Sequence, residues 1–133
     1  MILGIGADII EINRVKAKIE KNSAFIEKMF SDNEIKYFMD RSMNFEVIAG
    51  NFSAKEAVSK ALGTGIRGFS FKDIEVLRDE LGKPYVILHN KANELASNAV
   101  GSNGFYKIHL SISHSKENAI SYAILEGDFY ENR

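Results

Sequence analysis

Residues 52–65, Phe-Ser-Ala-Lys-Glu-Ala-Val-Ser-Lys-Ala-Leu-Gly-Thr-Gly, constrain the fold more than any other stretch. Ala, Lys, Glu and Leu favour helix, so the body of the segment is expected to be helical. Gly63 and Gly65 end it, because glycine takes the left-handed conformation at a helix C-terminus without a Cβ penalty. Glu56 and Lys60 lie one turn apart and share a face. Ala57 and Ala61, also a turn apart, leave a side small enough for another element to come close. A carboxylate beside an ammonium, followed by a glycine turn, suits a metal-bound phosphate. Two plainer readings stand beside it. The pair has the favourable i to i+4 order of a solvated helix face, and Ser53 to Glu56 fits a capping box that only secures a helix start. The glycines do not form a phosphate-binding P-loop, which needs them before a helix rather than after one. A phosphate here would need Lys60 or a metal ion to offset the negative end of the helix dipole.

The totals narrow the class. The chain of 133 residues fits one domain, residues 1–133, with one core. With 45% hydrophobic and 26% charged residues it has the balance of a soluble globular protein. A net charge of -1 gives no global bias toward nucleic acid. The absence of Cys excludes disulfides, zinc–thiolate sites and thiol nucleophiles, and suits the cytoplasm. The apolar start lacks a basic region and is interrupted by Asp8 and Glu11, so it is not a signal peptide. No stretch is long enough to cross a membrane.

Along the chain, residues 2–10 read as a strand. Leu3, Ile5, Ala7 and Ile9 share one face, and Gly4, Gly6 and Asp8 the other. Glycine in a strand marks a close approach of ligand or backbone. Asp8 at the end of that bare face is either a metal ligand or a turn residue. Residues 13–30 read as one amphipathic helix, with Val15, Ile19, Ile26 and Phe30 on its apolar side. Arg14, Lys18, Lys21, Phe25 and Lys28 form a basic stripe with an exposed aromatic in its middle. That stripe is either a solvated face or a dock for an acidic helical partner. Ser31 to Glu34 is a capping box opening a short helix. Residues 45–62 form a further helix with Gly50 as a weak point, and residues 66–70 a loop or short irregular strand. Strands over 74–78 and 85–88 flank a loop ending Gly82-Lys83-Pro84. A helix over 91–100 ends at Gly101. Residues 107–113 and 119–125 close the chain as a hairpin. His114 sits where the first of these strands meets its turn, among Ser113, Ser115 and Lys116. The order β-α-α-α-β-β-α-β-β with hairpin connections predicts an α+β domain, a mostly antiparallel sheet packed on helices.

Three stretches together resemble the bacterial holo-acyl-carrier-protein synthases of the phosphopantetheinyl transferase superfamily. They are Gly4-Ile5-Gly6-Ala7-Asp8-Ile9-Ile10 followed by Arg14, residues 52–65, and Ser111-Ile112-Ser113-His114-Ser115; Gly82-Lys83-Pro84 matches as well. The likeness runs over nearly the whole chain, in order. It implies Mg²⁺-dependent transfer of phosphopantetheine from coenzyme A to a serine of acyl carrier protein, with loss of adenosine 3′,5′-bisphosphate, in support of fatty acid biosynthesis. By match to the family's motifs, Asp8 and Glu56 hold the magnesium and Lys60 meets the diphosphate. His114 lies near the 3′-phosphate, and Gly63, Gly65, Lys83 and Pro84 border the coenzyme. Magnesium suits this, since it takes one or two carboxylates and completes its shell with water and phosphate oxygens. Glu56 or a metal-bound water takes the serine proton, and metal ligation favours the water slightly.

The family's carrier is acidic and helical, which makes the basic stripe its expected dock: Arg14 by motif, and Lys18, Lys21 and Phe25 by helix geometry. The family is typically a homotrimer with sites at subunit junctions. One departure stands out. Many members carry a basic residue where this chain has Asn51, which puts a coenzyme phosphate contact in doubt and leaves Arg41 or Lys116 to compensate. Two other readings stay open: a magnesium-dependent nucleotide phosphohydrolase on the same scaffold, and a carrier-binding module without catalysis.

Overall fold

A computed structural model describes residues 1–65 and 67–130. Ile66, the first residue of the loop expected over 66–70, lies outside the described residues, as do residues 131–133 at the end of the expected domain. The chain runs β1 (Ile2–Glu11), α1 (Ile12–Lys21), α2 (Phe25–Met29), α3 (Asp32–Asp40) and α4 (Phe45–Ala61). A 3₁₀ turn at Phe71–Asp73 leads to β2 (Ile74–Arg78), β3 (Pro84–Leu88), α5 (Asn90–Val100), β4 (Gly104–His114) and β5 (Asn118–Phe129). The expected order holds, with the first helical segment divided in two. All pairings are antiparallel: β1-β5-β4 form one sheet and β2-β3 a separate hairpin. This is the α+β arrangement expected.

The long helix α4 lies across the inner face of the three-stranded sheet and is buried along most of its length. Two glycines set how close it lies. A Cβ built on Gly4 would fall 1.9 Å from the carbonyl oxygen of Ala61, and one on Gly6 would fall 1.8 Å from that of Ala57. The bare strand face and the small helix side therefore meet, backbone against backbone. Gly50 does not break α4. It passes Ile112 on β4, and a side chain there would crowd that residue at 3.1 Å. Ser53 is not a cap either. It sits in the third turn, donates to the Gly50 carbonyl, and shares a 2.6 Å hydrogen bond with Ser121 of β5. The start is capped by Asn44, which accepts from the Glu46 N–H. The capping box at Ser31–Glu34 forms as expected.

Around α4 the core divides. Ala54, Ala57, Val58 and Ala61 pack with Ile74, Val76, Ala123 and Leu125. At its other end Ile48 and Phe52 join Val15, Phe25, Phe30 and Phe38. Phe25 belongs to this second cluster, at 6.5 Å from the Phe30 ring and 6.0 Å from Phe52. It is buried, which corrects its expected place as an exposed aromatic in the basic stripe. The reason is local. The Asn22 side chain accepts from the Ala24 N–H, and the Asn22 carbonyl accepts from Phe25 N–H. This turn ends α1 and rotates Phe25 inward.

The outer face of the sheet carries Ile5, Ala7 and Ile9 of β1 opposite Ile124, Tyr122 and Ile120 of β5. Ile5, Ile9 and Tyr122 are more than half exposed, at 67%, 64% and 54%. Leu3 does not join them. The pairing shifts register between Ile2 and Gly4, and Leu3 packs toward the first core cluster instead.

Candidate active site

Past the glycine contact, Asp8 is the next residue of the bare strand face, and it meets Glu56 and Lys60 of α4. Lys60 Nζ donates to the Ala7 carbonyl at 3.0 Å and lies 3.3 Å from Asp8 Oδ1. The Asp8 side chain is largely buried, while that of Lys60 is half exposed. Burial raises the Asp8 carboxyl above its ordinary value, against the opposing pull of Lys60. Glu56 is also raised, first by burial and then by the negative charge of Asp8, with Lys60 and Lys18 opposing. Two partly buried carboxylates thus repel each other, Asp8 lining an open groove together with Lys60. A divalent cation relieves that repulsion, and a pair of hard oxygen ligands is what magnesium accepts from a protein.

Gly63 and Gly65 follow with φ of 88° and 63°, the left-handed turn expected after the helix. Gly63 N–H bonds the Lys60 carbonyl, and Gly65 N–H that of Ser59, so the turn folds back on the end of α4. Arg14, Lys18 and Lys21 of α1 are exposed. Lys18 reaches further than a docking residue needs to: its ammonium lies 5.4 Å from the Phe52 ring centre and acts on Glu56.

His114 lies elsewhere. It closes β4, the margin of the sheet opposite β1, and lines a cleft with Tyr37, Gly50, Arg78, Gly82 and Pro84. Its Nδ1 is 3.5 Å from a Glu46 carboxylate oxygen. The cleft is partly open and offers about 200 Å³, room for part of a ligand rather than for a whole small-molecule site. Pro84 opens β3 opposite Arg78, a position where proline is tolerated in a strand. Gly50 and Lys60 are ten residues apart on α4, about 15 Å of helix rise. The sequence-derived residues therefore form two groups in one chain: Asp8, Glu56 and Lys60 at the β1 margin, and His114 with Gly82 and Pro84 at the β4 margin. Lys83 is exposed in the hairpin loop between them and β2.

Asn51, which puts a phosphate contact in doubt, faces away from both groups. It is fully buried and donates to Glu34 Oε2 at 3.1 Å and to the Val76 carbonyl at 3.0 Å. Its side chain faces the interior, so it stands at neither group. Of the compensating cations, Arg41 lies 3.9 Å from the Tyr37 ring centre, against the His114 cleft, and Lys116 lines a neighbouring groove with Lys16 and Phe45. Sequence reading missed Arg78 and Tyr37. The available signal was Arg78 standing just before the Gly82-Lys83-Pro84 loop, at the end of a strand.

A sequence model of the 4′-phosphopantetheinyl transferase superfamily matches residues 4–123, and the chain belongs to that superfamily. Its likeness to particular members is close. It is 63% identical over 132 residues to the holo-[acyl-carrier-protein] synthase of Clostridium perfringens, covering 99% of both chains. The fold is similar to the crystal structure of a holo-ACP synthase from Plasmodium yoelii, with a TM-score of 0.82, 34% identity, and 96% and 97% of the two chains covered. It is likewise similar to the Bacillus anthracis synthase in complex with CoA (3′,5′-ADP), with a TM-score of 0.76, 41% identity, and 96% and 99% covered. The chain is accordingly a phosphopantetheinyl transferase. Among the described residues no helix is long and apolar enough to cross a membrane.

Proposed function

We propose that the chain transfers 4′-phosphopantetheine from coenzyme A to a serine of apo acyl carrier protein with magnesium; its relatives' names and the CoA complex support the carrier and the coenzyme, and the carboxylates of Asp8 and Glu56 support the metal. The observation that supports this most is the nearness of Asp8, Glu56 and Lys60, brought together from two elements by the glycine contact. Asp8 and Glu56 would hold the magnesium, which when bound supplies positive charge against the donor's diphosphate. Lys60, half exposed on a flexible stem, adds a second positive charge on the same side. Glu56, whose carboxyl is raised by burial and by Asp8, is the chain's own group able to receive the serine proton.

The carrier docks on the exposed cations Arg14, Lys18 and Lys21 of α1, with Phe25 contributing packing beneath them rather than contact. Lys18, next to Glu56, links that dock to the metal-binding group. A 5′-diphosphate and a 3′-phosphate hang on one ribose, yet their expected partners lie at opposite margins of one sheet. The two groups come together between copies of the chain. The apolar outer face of β1 and β5 favours such an assembly, in the homotrimer of the family. The reaction serves fatty acid biosynthesis in the cytoplasm.

The test is to incubate the protein with coenzyme A, magnesium and apo carrier, then weigh the carrier. The expected outcome is a mass gain equal to the phosphopantetheine arm, abolished by a chelator. Phosphate release from nucleotides without carrier modification would refute the reading. Sedimentation of the same sample reads the assembly, and a monomer at working concentration would exclude the shared site.

A further inference from the structure

We infer that Arg78 is a specificity-determining residue that binds a phosphate monoester on the donor's ribose, from within the cleft it shares with His114. This rests on the donor being a nucleotide coenzyme, as proposed above. Arg78 is the last residue of β2 and pairs with Pro84 across the hairpin, which fixes it beside the Gly82-Lys83-Pro84 loop. Its Nη1 is buried and has no hydrogen-bond partner. A buried guanidinium N–H without an acceptor is costly, and an incoming anion would remove that cost.

The surroundings strengthen the inference. No carboxylate forms an ion pair with Arg78 or Arg41 among the described residues. Both guanidinium groups instead face one ring, with Arg41 at 3.9 Å and Arg78 at 5.3 Å from the centre of Tyr37. Burial first, and then the charge of nearby Arg41, disfavour the charged form of Arg78. Two negative groups are near. Glu34 acts on Arg78 at a distance, but its oxygens accept from Lys55, Asn51 and backbone N–H groups. Glu46 lines the cleft, and its carboxylate lies toward His114. Two like charges face one aromatic ring, and that ring lines the cleft with Arg78, Gly50 and Gly82, which suits a dianion. The planar fork of Arg78 can engage two phosphate oxygens at once.

The test compares wild type, Arg78→Gln and Arg78→Lys by calorimetry, with adenosine 3′,5′-bisphosphate and adenosine 5′-monophosphate as probes. Wild type should prefer the bisphosphate by about 10-fold or more, and Arg78→Gln should bring the two within about 2-fold, with Arg78→Lys between them. In the transfer assay, the KM for coenzyme A should rise in Arg78→Gln by more than kcat falls, and the preference over 3′-dephospho-coenzyme A should shrink. Equal weakening of both nucleotides, or undiminished discrimination, in a variant with native circular dichroism overturns the inference. If Arg78→Gln does not fold, Arg78→Lys decides: discrimination equal to wild type overturns it, and intermediate discrimination supports it. Transfer and discrimination are separate readouts. A wild type that binds the bisphosphate selectively but never modifies the carrier sinks the proposed reaction and leaves the Arg78 assignment standing.

Discussion

Lys55 and Glu56 are neighbours on the same helix and live in opposite electrostatic worlds. Lys55 points inward and is fully buried. Its ammonium donates to Glu34 Oε1 at 2.7 Å and to the carbonyls of Phe71 and Ile74, so all three of its protons are used. Glu34 in turn accepts from Asn51 and from the N–H groups of Ser31 and Val76. Glu56 is half-buried near another carboxylate, with Lys60 and Lys18 acting on it but no hydrogen bond to its carboxylate oxygens among the described residues. A saturated charge pair fastens α3, the 3₁₀ turn and β2 to α4. An unsaturated one is left open to a ligand. Satisfaction, rather than burial alone, separates the structural charge from the functional one.

The contrast can be broken from either side. Glu56→Gln should lower transfer by roughly 10²–10³-fold, with the melting temperature kept or raised, because the repulsion on Asp8 is removed. A large loss of stability in that variant would place Glu56 with the structural charges. Lys55→Met should do the reverse. It leaves Glu34 buried without its cation and should cost about 3–5 kcal/mol in urea unfolding. Adding Glu34→Gln should recover part of that loss, and a double variant no better than the single would remove the pair from the account.

A finer test uses protons. Burial holds the Asp8 and Glu56 carboxyls above their ordinary values. A raised carboxyl binds more protons folded than unfolded, so the metal-free protein loses stability as pH rises from the ordinary value through the folded one. Magnesium must displace those protons. Its stabilising effect should therefore grow as pH rises from the ordinary carboxylate range in thermal melts, and vanish in Asp8→Asn. A magnesium effect independent of pH would exclude these two ligands. The smallest effect belongs to the exposed stripe. Arg14→Ala should raise the carrier KM several-fold, more than that of coenzyme A, and reduce its salt dependence. Equal changes for both substrates would move the dock elsewhere.

Much of this was legible in the residues. The alternating glycines before Asp8 and the paired alanines beside Glu56 each announced a close approach. That they approach one another, some fifty residues apart, is a tertiary fact that no local pattern carries. Periodicity carried α4 and both hairpins, and overran at Asn22-Ser23-Ala24, where turn chemistry outweighed a continuous apolar stripe and took Phe25 into the core. Lys55 read only as a helix former, because its partner Glu34 lies in another helix and looked like a cap. Glu34 is in fact both, closing the α3 capping box and holding Lys55. The division of the expected site between two sheet margins was hidden for the same reason: strand order is not written in the order of the chain.

The contact of Gly4 and Gly6 with the carbonyls of Ala61 and Ala57 has one more consequence. Elsewhere the helix and sheet are spaced by side chains, which can hop between rotamers and yield. Here the spacer is the main chain itself, whose thickness is set by bond lengths. The distance across which Asp8 and Glu56 face each other is thus gauged by a rigid shim. Drift in the core that enlarges or shrinks a side chain will tilt the far edge of the sheet before it changes that separation.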